Sequence, residues 1–176
     1  IMLAMCAYAY THFFFAGFDL GIYDQVVWNT ANGRLFAYSF NPYSYLVDHR
    51  EWLLLLLVPL YWVVAHPMTL LVVQTLVIAS GAIPLYLLVL HVFRDHRYGP
   101  RFAVGAVVLY LMHPSVQHMN LFEFHMLIFA LPLSLWFWLC IEQKRWKSVW
   151  VLLALLLLVR EDVGFMTAGV GILCAI

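Results

Sequence analysis

Charged residues are scarce in this chain of 176 residues. It has nine Lys and Arg and nine Asp and Glu, which together make up 10% of the sequence, whereas soluble domains carry about 25%. The formal net charge is zero, and no basic block or stripe offers a surface for a polyanion. The shortage of charge excludes an ordinary soluble domain, and the sequence gives no indication of nucleic-acid binding.

Cysteines and soluble-enzyme motifs are equally sparse. The three cysteines, Cys6, Cys140 and Cys174, lie in separate apolar runs with no CxxC. We expect them to be small buried hydrophobic residues and not a disulfide framework. The chain has no Walker motif, no GxSxG and no Rossmann fingerprint, and its histidines show no HExxH spacing. The common chemistries of soluble enzymes are therefore not indicated.

Apolar residues dominate instead, at 65% of the sequence, and the mean hydropathy is +0.90. We predict an all-α, polytopic integral membrane protein, because helices satisfy their own backbone hydrogen bonds in lipid. Both ends of the sequence lie within apolar runs, so we expect residues 1–176 to be a single transmembrane module from the N-terminal part of a longer chain. The apolar runs cover residues 1–18, 52–65, 68–93, 102–121, 126–141, 149–159 and 163–176.

The two basic loops set the predicted topology. Loops 94–101 and 142–147 each carry three Lys or Arg, which places both in the cytoplasm. The run 52–65 gives only about 21 Å of helix against a hydrocarbon core of about 30 Å. If it crossed, the acidic segment before it would share a side with the basic loops. We therefore predict an interfacial or re-entrant helix kinked at Pro59, within an external segment 18–67 between the first and second transmembrane helices.

The predicted external face gathers most of the ionisable side chains, including seven of the nine acidic residues. Ionisable groups near membrane depth are typical of functional paths. The triplet Arg160-Glu161-Asp162 interrupts an apolar stretch, although an ion pair within it would also explain it. The external set comprises Asp19, Asp24, Arg34, Asp48, His49, Arg50, Glu51, Glu123, His125, Arg160, Glu161 and Asp162.

Asp19 stands where the first apolar run ends and a predicted helix, 20–32, begins. It can cap that helix, since Asp is a favoured N-cap, and it can also be a working carboxylate at the membrane surface. Asp24 lies about 140° further around the helix, so we expect it to point elsewhere. The remaining charged groups can also have purely local roles. Residues Asp48 to Glu51 can supply charge at a helix terminus, and Glu123 and His125 can form hydrogen bonds within a turn.

Several segments resemble known membrane proteins. Phe18-Asp19 followed by a helix to Gly33 resembles the first external loop of GT-C-type glycosyltransferases, polytopic enzymes that use polyprenyl-phosphate-linked sugars. The whole chain resembles still more closely an uncharacterised family of predicted bacterial membrane proteins with GT-C-like organisation. The resembling segments are Phe18-Asp19-Leu20-Gly21-Ile22-Tyr23-Asp24-Gln25, Asp48-His49, Pro59-Leu60-Tyr61, Asn120-Leu121-Phe122-Glu123-Phe124-His125 and Arg160-Glu161-Asp162-Val163-Gly164.

The resemblance implies a GT-C-like N-terminal module in the bacterial plasma membrane, with a large first external loop that carries interfacial helices. It gives Asp19 the role of the catalytic first-loop carboxylate and places Glu123, a second acidic residue, in the substrate site. Membrane lipids and a polyprenyl-phosphate sugar are the implied partners, with the lipid-linked sugar as donor.

The transfer reaction needs a base for the acceptor hydroxyl and positive charge for the departing phosphate. Asp19 is the candidate base. His49, His125 and Arg160 are the candidate phosphate contacts, and Glu161 and Asp162 are candidate ligands of a divalent metal.

Two other functions fit the same sequence. The chain can be a structural or accessory subunit that binds other membrane subunits, because no complete catalytic motif is present. It can also be a lipid or ion transporter that uses Arg160-Glu161-Asp162 at membrane depth.

Overall fold

The computed structural model describes residues 1–15, 17–165, 167 and 169, and this part of the chain is helical, with no strand. The prediction of an all-α fold is confirmed. Three 3₁₀ segments, Tyr45–Val47, Trp52–Leu57 and Met126–Phe129, join the helices. The α-helices are α1 (Met2–Thr11), α2 (Phe18–Ala31), α3 (Val58–Val63), α4 (Pro67–Ser80), α5 (Ala82–Val92), α6 (Gly99–Met112), α7 (Pro114–Leu121), α8 (Ala130–Glu142) and α9 (Trp146–Val159).

One continuous rod, made of α4 and α5, is long enough to cross a membrane. It runs over Pro67–Val92, 26 residues that include an 18-residue stretch with a mean hydropathy of 2.0, and extends about 39 Å at 1.5 Å per residue. It matches the predicted run 68–93. Within the described residues the remaining apolar helices are shorter than 18 residues.

The first apolar run does not form the single helix that its length suggests. α1 ends at Thr11 and the next helix begins at Phe18. The Thr11 hydroxyl donates to the carbonyl of Ala7 at 3.0 Å, and His12 Nδ1 lies 2.9 Å from the carbonyl of Tyr8. Such side chains compete with the backbone for its hydrogen bonds, and Phe13 then turns the chain with a φ of 57°. The expectation of one helix through residues 1–18 is wrong.

Prolines set two further breaks. His113 is extended, with ψ of 130°, because the residue before a proline disfavours the α conformation. Pro114 therefore separates α6 from α7 completely. Pro59 lies in the first turn of α3, which begins at Val58 directly after the 3₁₀ segment, a position where its missing N–H has no effect. We expected a kink at Pro59, and the structure has the change from the 3₁₀ segment to α3.

Two buried polar residues of α4 hold the loop that follows α7. Gln74 is fully buried, and its side-chain amide donates to the carbonyls of Met119 and Phe122, each at 3.0 Å. The Thr75 hydroxyl donates to the Asn120 side-chain oxygen at 2.8 Å. Buried polar groups need such partners, so the loop is attached to the rod and not only to its neighbours in sequence.

Cys6 and Cys140 are buried and form no disulfide, as expected of small hydrophobic residues. Cys174 lies outside the described residues. So does most of the predicted helix 163–176.

The link between α4 and α5 gives a first prediction. A Cβ on Gly81 would collide with the Tyr110 hydroxyl and lie 3.0 Å from its Cζ atom, displacing the 2.6 Å hydrogen bond from Tyr110 to the carbonyl of Ile78. We expect Gly81→Ala to lower the free energy of unfolding by about 1–3 kcal/mol, measured by thermal unfolding in detergent. Gly105→Ala is the control, because nothing lies within 4 Å of its Cβ. Equal stability of the two variants would contradict the prediction.

Candidate functional site

The side chain of Glu123, in the loop between α7 and the 3₁₀ segment Met126–Phe129, caps α2. Its two carboxylate oxygens accept the backbone N–H of Gly17 at 2.7 Å and of Leu20 at 2.9 Å. Gly17 occupies the N-cap position with a φ of 81°, a conformation that suits glycine. Glu123 is only 5% exposed, and an anion is favourable at a helix N-terminus. Asp19 is therefore not the N-cap, and its carboxylate lies in the first turn, free of that role.

The same loop brings His125 to Asp19. The backbone is extended at His125, so residues 123 and 125 project to the same side, while Phe124 between them is fully buried. His125 Nε2 lies 3.2 Å from Asp19 Oδ2, and its Nδ1 lies 3.0 Å from the carbonyl oxygen of Glu123. A carbonyl only accepts, so Nδ1 carries a proton. A hydrogen bond between Nε2 and Asp19 then needs one further proton, on Nε2 or on the Asp19 carboxyl.

These two side chains line a cavity of about 320 Å³ between the external segment and the loops after α7 and α9. Its volume falls at the small end of ligand pockets. The polar groups in its wall include two acids, two histidines and an arginine. The lining residues are Phe18, Asp19, Ile22, Tyr23, Tyr38, Tyr45, Asp48, His49, His125 and Arg160.

Behind this cavity lies a carboxylate that the sequence did not single out. Glu51 is completely buried, and it accepts hydrogen bonds from the hydroxyls of Tyr23 at 3.1 Å and Tyr45 at 2.9 Å. Burial raises the pKa of Glu51, and the two hydroxyls, with His49 and Arg160, offset this only in part. Both tyrosines also line the cavity, so Glu51 fixes two of its walls.

The turn after α9 is joined to the external segment by a second carboxylate. Glu161 accepts the backbone N–H of Arg50 at 2.9 Å and lies 3.3 Å from His49 Nδ1. Partial burial opposes ionisation, but the bonds from Arg50 and His49 prevail and lower the pKa of Glu161 to about 2. This contact holds His49 at the edge of the cavity.

Arg160 lines the cavity and also contacts Asp162, one of the two predicted metal ligands. Its Nε lies 3.4 Å from Asp162 Oδ2, yet that buried nitrogen has no hydrogen-bond partner among the described residues. Because Nε is buried, contact with a ligand in the cavity is left to the terminal nitrogens of a side chain that is 25% exposed.

The described residues hold no group of three or more His, Cys, Asp or Glu that could bind a metal ion. Glu161 is engaged by His49 and Arg50, and Asp162 faces Arg160. Metal binding by Glu161 and Asp162 stays a prediction, and the existing partners of the two carboxylates do not favour it.

The structure thus brings together Asp19, His49, His125 and Arg160, with Glu123 directly behind them. Asp24 lies apart, as expected, and accepts the Tyr61 hydroxyl at 2.5 Å. Sequence reasoning missed Tyr23, Tyr45 and the burial of Glu51. No local pattern marks them, because their pairing depends on the fold of the external segment.

A family profile described as "Predicted membrane protein (DUF2079)" matches residues 9–176. The chain belongs to this family. Neither a curated protein nor a solved structure matches it. Membership confirms that the chain is of a predicted membrane protein family, while the likeness of this DUF2079 chain to GT-C enzymes stays a hypothesis.

The cap of α2 yields a second prediction. In Glu123→Gln one acceptor oxygen becomes an NH₂ group that faces a backbone N–H, which leaves a buried donor unsatisfied. We expect the free energy of unfolding to fall by about 1–3 kcal/mol, measured by thermal unfolding in detergent. Glu142→Gln, at the exposed end of α8, is the matched control and should stay within about 0.5 kcal/mol of the native chain. A neutral Glu123→Gln would show that the cap contributes little.

The buried acid yields a third. Because the pKa of Glu51 is raised in the folded state, its contribution to stability is complete below the pKa it has when unfolded. That contribution is lost as pH rises through the folded value. Raising the pH from the acidic range to neutrality should therefore destabilise the native chain more than Glu51→Gln, which does not titrate. Melting temperatures of both proteins across this range test it, and parallel curves would contradict it.

Proposed function

We propose that this DUF2079 chain is a module of a multi-pass membrane glycosyltransferase that uses a lipid-phosphate-linked sugar on the external face of a bacterial plasma membrane. One observation carries the proposal. The Asp19–His125 pair lines the same cavity as two further cationic or protonatable groups, Arg160 and His49. A base and an anion site in one pocket are the minimum that transfer from a phosphate-linked donor requires.

Asp19 serves as the base in this reaction. Oδ2 faces His125, and the carboxylate is 38% exposed, which leaves Oδ1 for an acceptor hydroxyl. The hydroxyl oxygen attacks the anomeric carbon, its proton passes to Asp19, and the bond from that carbon to the phosphate oxygen breaks. The products are the glycosylated acceptor and the lipid phosphate.

Arg160 and His49 serve the leaving group. Breaking the bond adds negative charge to the phosphate, and a planar guanidinium suits phosphate oxygens better than other side chains do. Arg160 lines the cavity and its side chain is 25% exposed, which supports this role. His125 stabilises the same region when it is protonated.

The arrangement of the helices supports an external site. The rod α4–α5 ends at Val92 and α8 ends at Glu142, each directly before a basic loop. The other end of α8 follows His125 directly through the 3₁₀ segment. The site and the basic loops therefore lie at opposite ends of α8, and the positive-inside rule assigns the basic end to the cytoplasm.

The fourth prediction concerns Asp19→Asn, which keeps the size of the side chain but removes the base. In the full-length protein we expect transfer of a labelled lipid-linked sugar to fall about 10²–10⁴-fold, with the level of protein in the membrane unchanged. Asp24→Asn, on the same helix but outside the cavity, is the control and should keep transfer within a few-fold. Unchanged transfer in Asp19→Asn would reject the assignment and favour an accessory role.

A further inference from the structure

A second cavity, of about 200 Å³, adjoins the first. The two share His125 and Arg160 as a common wall. The remaining residues of its wall differ sharply from those of the first cavity, with a predominance of apolar side chains. The full lining is His118, Met119, Phe122, Glu123, His125, Leu127, Ile128 and Arg160.

The position of the second cavity is that of a membrane boundary. Met119 and Phe122 stand at the end of α7, and Leu127 and Ile128 in the 3₁₀ segment before α8. These are the points where two apolar runs meet the loop of the site. Its one acid, Glu123, has both oxygens engaged by the N-terminus of α2. The wall shared with the first cavity carries the basic side chains, Arg160 and His125, each of which also contacts an acid outside the second cavity.

We infer that the two cavities together bind one amphipathic phosphate lipid, with its phosphate between Arg160 and His125, its apolar chain in the second cavity and its head group in the first. This inference rests on the proposed function and adds to it the orientation of the donor. The opposite orientation would bury a hydrocarbon chain against Asp19, Asp48 and His49, and burying charges without polar partners is costly. In the stated orientation the phosphate meets cations and the chain meets Met119, Leu127 and Ile128.

The experiment fills the second cavity with a larger side chain and compares the binding of two probes. Leu127 is 38% exposed, so Leu127→Trp can be accommodated at the rim while it occupies the space for the chain. Leu109→Trp is the matched control, because Leu109 is exposed on α6 and lines neither cavity. Farnesyl phosphate and inorganic phosphate are titrated into each full-length protein in nanodiscs. The first probe needs both cavities, and the second needs only the cations.

We expect the native chain to bind farnesyl phosphate at least about tenfold more tightly than inorganic phosphate. Leu127→Trp should lose about tenfold or more of the affinity for farnesyl phosphate, the usual effect of overfilling a packed site. Its affinity for inorganic phosphate should be unchanged, which also reports that the variant is folded. Leu109→Trp should bind both probes like the native chain. Where Leu127→Trp does not fold, Phe122→Trp makes a smaller change in the same wall.

Two results would overturn the inference. One is farnesyl phosphate binding no tighter than inorganic phosphate. The other is an equal loss in Leu127→Trp and Leu109→Trp, which would mean that the chain lies in the general lipid phase. Failure of the proposed function gives a different pattern, namely the expected binding with no sugar transfer. If the protein transfers sugar but Leu127→Trp leaves its affinity for farnesyl phosphate unchanged, the proposed function stands and the proposed orientation of the lipid is wrong.

Discussion

The carboxylate of Glu123, bound to the first turn of α2, is the contact on which the site depends. It joins residues 106 and 103 positions apart in the chain, and it places a buried negative charge at a helix N-terminus, where the unpaired N–H groups attract it. The direction of α2 follows from this contact, and so does the position of Asp19 in its first turn. Since His125 is two residues from Glu123 in the same loop, one interaction sets both members of the Asp19–His125 pair.

The loop that carries Glu123 needs support from outside, because residues 122–125 belong to no helix. That support comes from α4, where Gln74 and Thr75 bind the segment from Met119 to Phe122. The rod that is long enough to cross a membrane therefore positions the site through two buried polar residues, and burying polar side chains without hydrogen-bond partners is costly. Their burial has a structural explanation, and no separate function is needed for them.

Much of the fold follows from apolar runs and prolines, because these act locally. The rod α4–α5 follows from its apolar run, and the break between α6 and α7 follows from Pro114, whereas Pro59 was assigned the wrong effect. The end of α1 was missed, since the side chains of Thr11 and His12 act against the backbone in a way that hydropathy does not record. The grouping of charges on one face was visible. The partners of Glu123 and Glu51 were not, because both contacts join segments whose distance only the folded chain determines.

The pairing of the acids distinguishes Asp19 from the other carboxylates that we predict to be external. Most have partners with no proton to exchange near neutrality: backbone N–H groups for Glu123, and tyrosine hydroxyls for Glu51, Asp24 and Asp48. Asp162 faces an arginine, which keeps its proton in proteins. Glu161 faces His49, but a backbone N–H also holds it. Asp19 is left with the imidazole of His125, 3.2 Å from its Oδ2, and its side chain is 38% exposed. A base must be able to reach the hydroxyl whose proton it takes, and this exposure fits the role that we propose for Asp19.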